Sequence, residues 1–101
     1  MFGTMGLKLR ILERDEKSIT LEVEGLDLGF SYAIVRELLA DKRVLNAWSK
    51  KDHPLEPALK IYILTDGTIE PAIALKEALS RIKGQLEELK DVFSKEVLSK
   101  R

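Results

Sequence analysis

From Leu7 to Glu13 the chain reads L-K-L-R-I-L-E, alternating apolar and charged as far as Ile11. A period of two predicts a strand with one face in water. Arg14-Asp15-Glu16-Lys17 is a fully charged turn, and Ser18 to Glu24 then alternates cleanly, so a second strand follows as hairpin partner of the first. Gly25 ends it. From Leu28 to Ala40 the period lengthens: Ile34, Val35, Leu38 and Leu39 fall at helical spacing, with Ser31 one turn before Val35, which predicts a helix stopping near Asp41-Lys42. Arg43 to Lys50 carries β-branched Val44 and aromatic Trp48 and runs into Asp52-His53-Pro54, the marks of a third strand and its turn. Ala58 to Thr65 is a fourth strand closed by Asp66-Gly67, where glycine supplies the positive φ of a tight turn. Glu70-Pro71 opens a second helix, since proline at the first helical position forfeits no hydrogen bond.

That helix carries the most information. Leu75, Leu79, Ile82, Leu86, Leu89, Phe93 and Val97 recur at steps of four and three, a stripe at near-heptad spacing. Glu77 with Arg81, Asp91 with Lys95 and Glu96 with Lys100 place an acid four residues before a base, pairs worth a few tenths of a kcal/mol each. Unbroken from Pro71 to Leu98, the helix would be about 42 Å long at a rise of roughly 1.5 Å per residue. A sheet of short strands spans only about 20 Å along a strand. The order ββαββα therefore predicts an α+β fold: a two-layer sandwich with a four-stranded antiparallel sheet, two helices on one face, and a long C-terminal helix overhanging that sheet. Leu86, Leu89, Phe93 and Val97 would then need a partner subunit as cover.

Composition narrows the possibilities. One hundred and one residues, 45% hydrophobic and 34% charged, make a single domain over residues 1–101 that is neither disordered nor membrane-embedded. The apolar stretches are far short of the roughly 18 residues that cross a bilayer, and Met1 to Gly6 lacks the basic and apolar regions of a signal peptide. A cytoplasmic location is expected. Seventeen basic residues balance seventeen acidic ones, so no overall field draws the chain to nucleic acid or an anionic membrane, and neither is expected as a direct partner. With no cysteine there is no thiolate nucleophile and no cysteine-ligated metal. A single Asn and a single Gln beside many Lys and Glu lean toward a thermophile composition.

Catalytic chemistry finds little footing. His53 beside Asp52 suggests a general base with its orienting carboxylate, but no activated nucleophile accompanies it, and a lone histidine falls short of a zinc site. Asp66-Gly67-Thr68 before a helix matches neither a P-loop nor a dinucleotide fingerprint. Trp48 and Tyr62 on adjacent strands invite comparison with a base-stacking platform, yet the net charge favours packing in the core or an interface. Lys95, Lys100 and Arg101 suit the negative end of a helix dipole. No catalytic residue, cofactor or metal is expected.

Asp52-His53-Pro54-Leu55 after strand three, Thr65-Asp66-Gly67 after strand four and Pro71 opening the last helix together resemble archaeal RNA polymerase subunit L over roughly Leu7 to Leu98. The resemblance implies a fold similar to the dimerisation domain of the bacterial alpha subunit. It also implies a non-catalytic role: a heterodimer with the polymerase's D-type subunit, forming the platform on which the large catalytic subunits assemble. The interface would run along both helices, through Leu28, Phe30, Tyr32, Ile34, Val35, Leu38, Leu79, Ile82, Leu86, Leu89, Phe93 and Val97. The chain departs from the family's H-T-L-x-N at the start of helix one, where Leu28 stands for His, Gly29 for Thr and Tyr32 for Asn. Two readings stay open beside it: an unrelated homodimeric binding module of the same fold, and a small enzyme of the pterin-dehydratase type, whose several histidines this chain lacks.

Overall fold

In the computed structural model the two alternating segments become β1 (Lys8–Arg14) and β2 (Ser18–Glu24), antiparallel, with Leu9 opposite Val23 and Ile11 opposite Leu21. The structure describes residues 7–53, 55, 57–82 and 87–97. Asp15 builds the turn: its carboxylate accepts from the Lys17 and Ser18 amides at 2.9 and 2.8 Å and from the Ser18 hydroxyl at 3.1 Å. Those donors, the Lys17 amide foremost, hold its carboxyl below the usual range. A bulge between Ile11 and Glu13 leaves Leu12 and Glu13 on the outer side of the sheet with Thr20.

Strands β3 (Val44–Lys50) and β4 (Ala58–Thr65) complete an antiparallel sheet in the order β1-β2-β4-β3. Ile19, Leu21 and Val23 of β2 and Leu59, Ile61 and Ile63 of β4 point inward and are buried. Helix α1 (Leu28–Leu39) starts at Asp27, whose side chain accepts from the Gly29 amide at 2.9 Å, an N-cap that satisfies one donor of the first turn. It lies over β3, while α2 (Pro71–Arg81) lies over β4 and β2.

The long C-terminal helix is where the structure departs from the pattern. Helix α2 stops at Arg81, Ile82 takes an extended conformation at φ −102° and ψ 127°, and a separate helix α3 spans Glu87–Glu96. The element order is therefore ββαββαα. Phe93 and Val97 do not overhang; both are buried in the chain's own core, with α3 packed on β1 and α2. The reason is coverage. With α1 over β3 and α2 over β4 and β2, the inner side chains of β1, Leu9 and Ile11, have no helix above them until α3 turns back. Leu86 and Leu98 lie outside the described residues, as does the side chain of Leu89. The expected pair Glu77–Arg81 is replaced by longer-range ones: Glu77 meets Arg43 at 3.0 Å and Arg81 meets Glu37 at 2.9 Å.

Candidate partner-binding surface

Helix α1 is apolar on two sides. One row, Ser31, Ile34 and Leu38, is fully buried against the sheet. Ser31 can sit there because its hydroxyl donates to the Leu28 carbonyl at 2.7 Å and accepts from the Ser49 hydroxyl of β3 at 2.8 Å. A second row, Leu28, Tyr32, Val35 and Leu39, repeats at steps of four, three and four on the outer side. In it Tyr32 is 52% exposed and Leu39 49%, while Leu28 and Val35 are half-buried.

The residues assigned to an interface from sequence thus divide. Ile34, Leu38 and Leu79 belong to the chain's own core, and Phe93 and Val97 are covered by it too. Leu28, Phe30, Val35 and Ile82 are half-buried at the margin of that core. Tyr32 stands out into solvent. Leu39, read from sequence as part of the helix's core pattern, is the residue missed; its position seven after Tyr32 is the signal that would have found it.

A cluster of ion pairs fixes the ends of this layer. Arg43 donates through two nitrogens to Asp41 at 3.0 and 2.8 Å and also reaches Glu77 on α2 at 3.0 Å. Arg81 donates to the Glu37 carboxylate and to the Glu37 carbonyl, each at 2.9 Å. The Arg43 side chain, and then its amide, lowers the Asp41 pKa to about 2, while Asp41 raises that of Arg43. These pairs link α1, and the turn between α1 and β3, to α2.

The opposite side of the sheet carries the aromatic pair. Trp48 and Tyr62 face each other across β3 and β4 on the outer side, their ring centroids 5.4 Å apart and their planes 21° from parallel. Trp48 is 36% exposed, so of the two expected settings, core or interface, the pair does not lie in the chain's own core. Lys50 Nζ lies 5.7 Å from the Trp48 ring.

His53 is exposed in its turn, and Asp52 is committed elsewhere, to Lys60 at 3.0 Å and Lys50 at 3.9 Å. The Lys60 hydrogen bond leads in holding the Asp52 carboxyl below its ordinary value. Asp66 accepts from the Thr68 amide and hydroxyl at 2.8 and 2.6 Å beside Gly67 at φ +95°, a closed turn before α2. Among the described residues no three His, Cys, Asp or Glu side chains gather where a metal could bind, and no helix is long and apolar enough to cross a membrane.

What this arrangement offers is surface for protein contact, and the relatives agree. Residues 18–92 match the model of the RNA polymerase Rpb3/Rpb11 dimerisation domain. The chain belongs to that family. Among polymerase dimerisation-domain proteins it is 35% identical over 78 residues to DNA-directed RNA polymerase subunit Rpo11 of Saccharolobus solfataricus, covering 77% of this chain and 85% of that one. It is 28% identical over 95 residues to Rpo11 of Pyrococcus horikoshii, covering 92% of this chain and all of the other. The crystal structure of DNA-directed RNA polymerase subunit L from Thermoplasma acidophilum superposes with a TM-score of 0.68 at 28% identity, over 88% of this chain and 87% of that one. The dimerisation-domain family supplies small polymerase subunits of the Rpo11/L type, and this chain is one of them, not a catalytic subunit.

Proposed function

We propose that this chain forms a heterodimer with the D-type subunit of an archaeal RNA polymerase through its helix layer, and that the pair is the platform on which the large catalytic subunits assemble. The outer row of α1 carries the reading. Leu28, Tyr32, Val35 and Leu39 repeat at the spacing with which one helix packs on another, and two of the four are about half exposed in the single chain. Phe30 and Ile82, half-buried at the margins of the same layer, extend the surface. Leu28 and Tyr32 stand where the family carries His and Asn, so the surface is more apolar than the pattern it departs from, and its partner should have changed to match.

The test is to co-express the chain with the D-type subunit from the same genome and measure the complex by size exclusion and calorimetry. A one-to-one complex is expected, weakened by Tyr32→Asp and Leu39→Asp together. A stable homodimer that ignores the D-type subunit would overturn the reading in favour of a binding module outside the polymerase.

A further inference from the structure

Helix α3 packs on β1 and α2 through Phe93 and Val97, and its seat is not closed. A recess of about 310 Å³ stays open between β1 and α3 beside Leu7, Leu9 and Val92. A helix that served only to cover β1 would need no fixed phase with α2. Yet Leu75 and Leu79 of α2 and Phe93 of α3 fall in one run of fours and threes, and Ile82, Leu86 and Leu89 carry those steps across the break. The same side chains therefore suit two packings, one with α3 on β1 and one with α2 and α3 as a single helix.

The place of the break says which event selects between them. Arg81, the last residue of α2, donates to the carboxylate and the carbonyl of Glu37, so both helices end at the same edge of the layer, two residues from Leu39. An α2 continued past Arg81 leaves the sheet on the side where the outer row of α1 ends, and frees Phe93 and Val97 there. We propose that pairing with the D-type subunit displaces α3 from β1: α2 and α3 join in one straight helix, and the partner takes up both the freed stripe and the inner face of β1. In the single chain α3 is then a built-in competitor of the partner, keeping Phe93, Val97, Leu9 and Ile11 out of water until the partner arrives. The inference rests on the heterodimer proposed above and adds how the free chain holds its interface closed. A chain whose binding-competent form is the minor one binds with an affinity reduced by that fraction, so fastening α3 to β1 weakens pairing without touching α1.

The chain has no cysteine, so Lys8→Cys with Lys95→Cys supplies the one pair in it. Both positions border the recess between β1 and α3. A straight helix carries position 95 about 21 Å beyond Arg81, at roughly 1.5 Å per residue. Nitroxides on the two cysteines should give a short separation in the free chain by pulsed electron paramagnetic resonance, and lose it when the D-type subunit from the same genome is added. Joined by a short bismaleimide, the pair should weaken binding of that subunit by about thirtyfold, the scale of losing one buried interface anchor. Capped singly with N-ethylmaleimide, the same variant should bind as the parent does, and the linked chain should melt no lower than the capped one. Equal affinity of linked and capped chains, or a short separation that persists in the complex, overturns the inference and leaves the heterodimer standing. Cysteines that do not link in the free chain, or a linked chain that melts lower, show that α3 does not rest on β1 and overturn it as well. A short separation lost as the chain alone is concentrated assigns the straight form to a second copy and also overturns it. Parent and capped chains that both fail to bind the D-type subunit overturn the inference and the heterodimer together.

Discussion

Phe93→Ala in the chain on its own asks whether α3 belongs to the protein's own core. The ring is 1% exposed and is among the largest fully buried side chains of the domain, yet it sits on a ten-residue helix separated from α2. Truncating a buried phenylalanine costs about 3–5 kcal/mol through lost burial and the cavity left behind. A domain of this size has a total stability of about 5–15 kcal/mol, so the loss is a large fraction of it. With a urea slope of about 1–3 kcal/mol/M, the unfolding midpoint should fall by roughly 1 M or more. Leu39→Ala is the control: the side chain is 49% exposed, and its loss should cost only about 0.5 kcal/mol. Both are read by circular dichroism at low micromolar concentration, where no partner is present. A Phe93→Ala midpoint within about 0.2 M of the parent would mean that the chain itself does not cover the ring, and that α3 is held by something else.

Tyr32→Asp with Leu39→Asp should lower the melting temperature of the isolated chain by no more than a few degrees while abolishing co-elution with the D-type subunit; equal loss of both would make the outer row part of the fold. The Asp41 pKa of about 2 lies below its ordinary 3.8, so its pairing with Arg43 contributes stability above about pH 4 that is lost as the pH falls toward 2. Asp41→Asn should accordingly flatten the acid limb of a stability-versus-pH curve, and an unchanged slope in that window would contradict the ion-pair assignment. Gly67→Ala should cost about 1–2 kcal/mol in denaturant titration, because φ is +95° and the added Cβ would lie 3.0 Å from Lys17 Cε; an unperturbed midpoint would mean that the turn relaxes freely.

The strands are legible because β2 and β4 bury one face only. Ile61 and Ile63 point inward with Tyr62 between them, so the outward position of Tyr62 can be read from alternation alone. Strand β3 resists the same reading: a bulge between Val44 and Asn46 leaves the buried residues Val44 and Ala47 three apart, and the side on which Trp48 lies follows only from its register with Tyr62. On α1 the difficulty is different. Its two rows have equally good helical spacing, and apolar character alone cannot say which faces the sheet. Ser31 is the distinguishing residue, since a small side chain that finds Ser49 allows close approach to β3, but that partner is visible only once the strand is in place.

The break after Arg81 shows what periodicity can and cannot specify. A near-heptad stripe names the side chains that need cover and is silent about what covers them. A straight helix to Leu98 would carry Phe93 and Val97 beyond the sheet, and burying large apolar side chains is worth roughly 1.5–3 kcal/mol each. Interrupting the helix forfeits a few backbone hydrogen bonds of about 1 kcal/mol net each. Gly84, between α2 and α3, makes the straight form dearer by about 1 kcal/mol relative to alanine. Burial of the two side chains and the glycine together favour the break by about 4–7 kcal/mol, more than the few hydrogen bonds forfeited. The inner face of β1 adds to the balance: with α3 returned, Leu9 and Ile11 join the core too. A straight helix would become competitive only where another chain offered Phe93 and Val97 an equal apolar surface and covered β1 in place of α3. In the single chain β1 is the surface at hand, which is why the helix turns back on it.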